Sequence, residues 1–263
     1  MSSTGPVPQL NLYQLRRTCG TCSLSELCLP MGLARDDMRR LETLIAPRGP
    51  IGESEHLFRI GDPLRSLYAV RGGFFKTYVV EESGREQVLG FHLPGELIGL
   101  DAIWPQKHQC NAVALSTASV CELPYGALSD LSQKLPGLQQ SMLRLLSKEL
   151  ALSHSLAGDF TAEERVAGFL LSLSSRMKVR GLSETNLTLA MSRRDLANYL
   201  RLATETVSRV FSRFQQDGLI VVDRREVTLR NPEKLARLGH CLAIDGIAGR
   251  QLTPVIAPAP ASG

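Results

Sequence analysis

Three of the six cysteines stand within ten residues, in CGTCSLSELC at 19–28. The C-x2-C-x5-C spacing lets Cys19, Cys22 and Cys28 converge from one compact loop. Four thiolates hold either a zinc ion or an iron–sulfur cluster, and the spacing does not choose between them. A fourth ligand has to come from Cys110, Cys121 or Cys241, all distant in sequence. Free or oxidisable thiols are the plain alternative, because structural disulfides are rare in a reducing compartment. Leu24, Leu27 and Leu29 interleave with the thiols and either shield such a centre from water or anchor the segment.

A second constellation lies in SRRDLANYLRLATETVSRVFSRFQQDGLI, residues 192–220. Leu196, Leu200, Val207, Val210 and Phe214 have the spacing to pack two short crossed helices, which leaves the polar side chains outside. Ser192 is placed to cap the first helix and Thr204 the second. The second helix then offers Glu205, Thr206, Ser208, Arg209, Ser212 and Arg213 to a groove. Arg209 can donate two hydrogen bonds to guanine, Glu205 can accept from cytosine, and Ser208 can contact a base or a phosphate. Thr204, Arg213, Arg193 and Arg194 are further candidates for DNA contact, the arginines to phosphate. Short strands at 219–222 and 226–229 complete a winged helix-turn-helix. The competing reading is the solvated face of a generic three-helix module.

The elements that must position these groups follow from composition and periodicity. The 263 residues allow about two domains and a sizeable core. With 43% apolar residues and a net charge of +4, the chain reads as an ordinary soluble protein. The charge is uneven: residues 161–240 hold fourteen Lys and Arg against nine Asp and Glu, while residues 1–160 are nearly balanced. Any polyanion contact is therefore expected in the last third. No apolar run approaches the about 18 residues of a membrane helix, and the start lacks a signal-like pattern, so the cytoplasm is the expected compartment. No acid–base or nucleophile constellation emerges, so no catalytic residue is assigned and an enzyme is not expected.

Short runs between 51 and 125, separated by Gly, Pro and Asp, predict a β-barrel or sandwich. Leucines and Met142 recurring every three or four residues from 131 to 152 predict a long helix with Pro136 near its first turn. Leu138, Met142, Leu145, Leu146 and Leu150 on that stripe are candidates for pairing with a second copy, with internal packing as the alternative. The expected division is a cysteine-rich arm at 1–33, a barrel at 34–125, a central dimerisation helix at 126–157, a DNA-binding domain at 158–240 and a tail at 241–263.

Taken together, CGTCSLSELCLP at 19–30, GFHLPGELIGLDAI at 90–103, VCELP at 120–124, AEERVAGFLLSLS at 162–174 and TETVSRVFSRF at 204–214 identify a resemblance. The chain resembles the fumarate and nitrate reduction regulator (FNR) family of the cyclic-AMP receptor protein superfamily over nearly all of residues 16–240. The resemblance implies an α+β architecture: an N-terminal jelly-roll barrel of the cyclic-nucleotide-binding kind, a long central dimerisation helix and a C-terminal winged helix-turn-helix. It implies a [4Fe-4S] cluster on Cys19, Cys22, Cys28 and Cys121, with Cys110 and Cys241 as extras. It further implies an oxygen-responsive homodimer that binds double-stranded DNA at a palindromic TTGAT-like site through Glu205, Ser208 and Arg209, and that contacts RNA polymerase. A zinc- or thiol-based regulator with the same DNA module is the alternative. Thr204 stands where the family often has valine, and Arg201 where a glycine is common. Gly95 and Glu96 match the Gly-Glu element of cyclic-nucleotide domains, but Asn111 and Ala112 replace its Arg-Ser pair. A cyclic phosphodiester would lose its guanidinium partner, so cyclic AMP is not an expected effector. The stretch around 150–160 looks about three residues shorter than in the best-known member.

Overall fold

Apolar runs between turn-forming residues become eight strands: β1 (Ala46–Ile51), β2 (His56–Phe58), β3 (Ser66–Gly72), β4 (Phe75–Val80), β5 (Glu86–His92), β6 (Leu97–Ile98), β7 (Asn111–Ala114) and β8 (Ala118–Pro124). They appear in a computed structural model that describes residues 19–155 and 158–239. The strands form two four-stranded sheets, ordered β1-β8-β3-β6 and β2-β7-β4-β5. Val70, Phe75, Ile98, Ala112 and Val120 fill the interior between them. This is the expected barrel of jelly-roll type, in which two sheets bury their inward-facing residues against each other.

Outside the first sheet lies a separate core, where Leu29, Leu41, Leu67, Ala69, Leu123, Leu128 and Leu138 pack together. It is covered by α1 (Arg35–Glu42), α2 (Tyr125–Lys134) and α3 (Pro136–Ser155). The predicted single helix over 131–152 is thus two helices. Leu135 adopts an extended conformation (φ −124°, ψ 93°) between them. The cause is local: a proline ring disfavours the helical conformation in the residue before it and then suits the first position of the next helix.

The C-terminal part consists of α4 (Ala162–Lys178), β9 (Asn186–Thr188), α5 (Arg193–Tyr199), α6 (Thr204–Gln216), β10 (Ile220–Asp223), β11 (Glu226–Leu229) and α7 (Pro232–Leu238). Capping boxes start α4 (Thr161 with Glu164) and α5 (Ser192 with Asp195). The sheet β10-β11-β9 forms the wing. Val88, Phe91 and Leu93 of the barrel share one core with Phe169, Leu170 and Leu200. The rings of Phe91, Phe169 and Tyr199 meet with centroids 5.1–6.1 Å apart. Residues 1–18 of the cysteine-rich arm, Cys241 with the tail, and residues 156–157 of the shortened stretch lie outside the described residues.

Candidate functional site

Alternation along β8 decides what Cys121 can do. Val120 points into the barrel core and is fully buried, so Cys121 and Leu123 point to the outer face. In the sheet Cys121 lies between Pro47 of β1 and Ala69 of β3. The N-terminal cysteine segment folds onto this face as two 3-10 turns, Cys19–Thr21 and Ser25–Leu27. Cys22 N donates to Cys19 O (3.1 Å), and Gly20 N donates to Glu42 Oε1 (2.8 Å), fastening the loop to α1. Cys19, Cys22, Cys28 and Cys121 consequently line one cavity, with Leu24, Leu29, Leu41 and Arg71 around them. All four are half-buried free thiols.

Burial, with negative charge on Cys121 as a smaller contribution, pushes the Cys19 and Cys28 thiols up to about 12. Burial also raises Cys121. The Arg71 guanidinium acts in the opposite sense on Cys19 and Cys121, favouring their thiolates. Among the described residues, no three His, Cys, Asp or Glu side chains are gathered closely enough to hold a single metal ion. A lone zinc requires four sulfurs each about 2.3 Å from one centre. A four-iron cluster offers each cysteine its own iron, so its ligands would surround a wider space than those of a lone zinc.

Of the other fourth-ligand candidates, Cys110 does not line this cavity. Cys110 is buried in the barrel interior, where its thiol donates to Asp101 Oδ2 (3.5 Å), and burial raises its pKa. Cys241 lies outside the described residues. Of the three leucines, Leu24 and Leu29 line the cavity, and Leu27 faces Gly95 instead.

The Gly-Glu element of the barrel has an unexpected neighbour. Glu96 Oε1 accepts from Arg176 Nε (2.9 Å) and Arg180 Nη2 (2.7 Å), and Glu96 Oε2 accepts from Arg176 Nη2 (2.5 Å). Both arginines belong to the C-terminal part, and nothing in the local sequence signals the contact. Asn111, at the position of the missing Arg-Ser pair, is buried; its Oδ1 accepts from Ile60 N (3.1 Å) and its Nδ2 donates to Tyr78 O (3.4 Å).

On α6, Val207, Val210, Phe211 and Phe214 are buried, while Glu205, Ser208 and Arg209 are exposed on the opposite face. Arg209 Nη2 donates to Thr206 Oγ1 (3.3 Å), and Ser208 Oγ donates to Thr204 O (2.9 Å). Thr204 does not cap the helix: Ala203 is the cap residue, without a side-chain bond, and Thr204 is the first helical position. Arg213 is paired with Glu163 (2.9 Å). Arg194 is exposed, whereas Arg193 folds over the Phe211 ring at 3.8 Å, with one buried guanidinium nitrogen lacking an acceptor. Its position suits packing of the two helices better than reaching a phosphate. The turn between the helices holds Arg201 at φ +56°, a left-handed conformation that glycine adopts without strain.

On α3, the five candidate positions divide into two sets. Leu138 is fully buried in its own protomer, and Met142 and Leu145 pack partly against the same core. Leu146 and Leu150 are 37% and 58% exposed, and Leu143, at 60% and missed by the sequence reading, joins them in one stripe.

A family model for the Crp-like helix-turn-helix domain matches residues 164–238, and one for the cyclic nucleotide-binding domain matches residues 51–134. The chain is 45% identical over 223 residues to the transcriptional activator protein Anr of Pseudomonas aeruginosa, covering 84% of this chain and 91% of that protein. It is 43% identical over 226 residues to the fumarate and nitrate reduction regulatory protein of Escherichia coli K12, covering 84% and 90%. The solved structure of FixK2 from Bradyrhizobium japonicum matches with a TM-score of 0.68 at 28% identity, covering 78% of this chain and 99% of that one. No helix among the described residues is long and apolar enough to cross a membrane.

Proposed function

The chain belongs to the fumarate and nitrate reduction regulators of the cyclic-AMP receptor protein superfamily, DNA-binding transcription regulators rather than enzymes, and from that premise we propose that it is an oxygen-responsive member controlled by a [4Fe-4S] cluster. The observation that carries this reading is the meeting of Cys121 with Cys19, Cys22 and Cys28 at one cavity of a chain that also bears a winged helix-turn-helix. These four cysteines would hold the cluster, which when bound supplies an oxygen-labile centre. Leu24 and Leu29 restrict water at the cavity, and Arg71 offsets the negative charge that four thiolates bring together.

The exposed stripe of Leu143, Leu146 and Leu150 is the surface for a second copy. Two copies place two α6 helices on half-sites about 34 Å apart, and a palindrome then follows from the two-fold symmetry. Arg209, Glu205 and Ser208 read the bases of a TTGAT-like half-site, while Arg194, Thr204 and Arg213 contact the backbone, Arg213 after release from Glu163. The barrel surface contacts RNA polymerase, and the protein works in the cytoplasm. Cyclic AMP is not its effector, because Glu96 is engaged by two arginines and the phosphate-binding Arg is replaced by Asn111.

Anaerobic purification and reconstitution of the full chain test the reading, with iron and sulfide content, visible absorption, sedimentation and binding to a TTGAT-like palindrome as readouts. About four irons and four sulfides per chain, a dimer, and loss of both in air are expected. Binding of zinc alone, or an oxygen response without iron, would replace the cluster with the zinc or thiol alternative.

A further inference from the structure

Cys28 and Glu96 serve different parts of the molecule, yet one turn touches the surroundings of both. Residues 93–96 connect β5 to β6, and Gly95 in that turn has φ +92°. A Cβ placed on Gly95 would lie 3.2 Å from Leu27 Cβ and 3.8 Å from Leu24 Cβ, so the cysteine loop rests directly on this backbone. The turn is also fastened to the sheet beside Cys121: Gly95 N donates to Val70 O (2.7 Å) and Val70 N donates to Glu96 O (2.9 Å).

From the other side the turn grips the DNA-binding part. Besides the three bonds to Glu96, Arg176 Nη2 donates to Phe91 O (2.5 Å) and Arg180 Nε donates to Pro94 O (2.6 Å). The side chains of Arg176, Arg180 and Glu96 are only 12%, 5% and 15% exposed. Removing one member of such a group leaves charge without its partner in a poorly hydrated place, so the arrangement holds together or opens as a unit. Leu27, Glu96, Arg176 and Arg180 also border the same cavity between barrel, α3 and α4.

We propose that Glu96 is the positioning residue of the DNA reader: it holds α4 through Arg176 and Arg180, and the cysteine loop biases that hold through the contact of Leu24 and Leu27 with Gly95. The inference rests on the cysteine loop being the sensor; the contacts themselves do not. A loop that shifts as its metal is gained or lost displaces the turn, and the two arginines carry the displacement into α4, which meets the helix-turn-helix through Phe169 on Tyr199 and Glu163 on Arg213. By linkage, the reader's position must act back on the loop.

Hydrogen exchange on the full-length, metal-free chain tests this with Leu27→Gly, which removes the Cβ that rests on Gly95, Glu96→Gln and the double variant. Each single substitution is expected to speed exchange of the amides at 173–180 by at least about fivefold, with the first half of α4 little changed. The double variant should be no faster than Glu96→Gln alone, since the loop then has nothing left to push on. Wild-type rates at 173–180 in Leu27→Gly, or multiplying effects in the double variant, overturn the proposal. If Glu96→Gln does not fold, Arg180→Met replaces it in the same cycle.

In a second arm, chains treated anaerobically with iron and sulfide are compared before and after air. Glu96→Gln should load as much iron as wild type, while the anaerobic-to-aerobic ratio of DNA affinity falls at least about fivefold. An unchanged ratio at equal iron overturns the proposal. A wild-type chain that takes up no iron overturns the cluster reading instead, and the metal-free exchange cycle still decides this one.

Discussion

The cysteine cavity and the reading helix differ in how their parts are brought together. Glu205, Ser208 and Arg209 lie within five residues on one face of α6, so two turns of helix and a buried stripe suffice to present them. The cavity joins a loop at 19–28 to Cys121, and the barrel sheet must exist before the two can meet. A locally built site loses function by degrees when one side chain is removed. A site assembled across the chain, whose ligands act on one centre, is expected to lose it at once.

The largest effect should come from the cavity. Cys121→Ser is expected to abolish iron uptake and lower anaerobic affinity for the palindrome by on the order of 10³, the gap between specific and non-specific binding. Cys110→Ser, in the barrel interior, should keep both; equal damage from the two would erase the distinction between ligand and core thiol. Next comes Arg209→Ala, expected to cost about 1–3 kcal/mol on the matched operator and to relax preference at one base pair, read by competition between altered sites.

A smaller and uniform loss separates the two neighbouring arginines. Arg194→Ala should weaken matched and altered sites alike and make the salt dependence shallower by about one unit. Arg193→Ala should instead lower thermal stability by about 1 kcal/mol through its lost stacking on Phe211, with little change in salt slope. The reverse pattern would restore Arg193 as the phosphate contact. The smallest effect is at the turn: Arg201→Gly relieves a left-handed conformation and should stabilise the domain by up to about 1 kcal/mol in denaturant unfolding.

Legibility in the sequence follows the same division. The helix-turn-helix could be read almost whole, because capping residues and apolar spacing are local signals; a glycine that ends a helix is another, and Gly218 takes φ +67° after α6. Even there, the cap fell one residue away from Thr204, since neighbouring positions at a helix start are hard to tell apart by residue type. The cysteine triplet was visible, but its fourth partner came only from the family resemblance, because C-x2-C-x5-C says nothing about a strand a hundred residues later. The stripe on α3 was legible as a stripe. Which part of it faces the barrel was not, and Leu138 turned inward while Leu143 turned out. Glu96 and its arginines, separated by 80 and 84 residues, left no periodic trace at all.

The position of Cys121 on β8, between β1 and β3, also sets an order of events during synthesis. The loop with Cys19, Cys22 and Cys28 leaves the ribosome first, but the strand bearing Cys121 is the last of the barrel's eight and ends at Pro124. Until β8 has been translated and inserted between its neighbours, the nascent chain can bring only the three loop sulfurs to the proposed cluster site. On the proposed four-cysteine cluster, delivery of metal to a finished site is confined to chains that have already closed their barrel, and a ribosome-bound chain arrested before residue 118 should accept none stably.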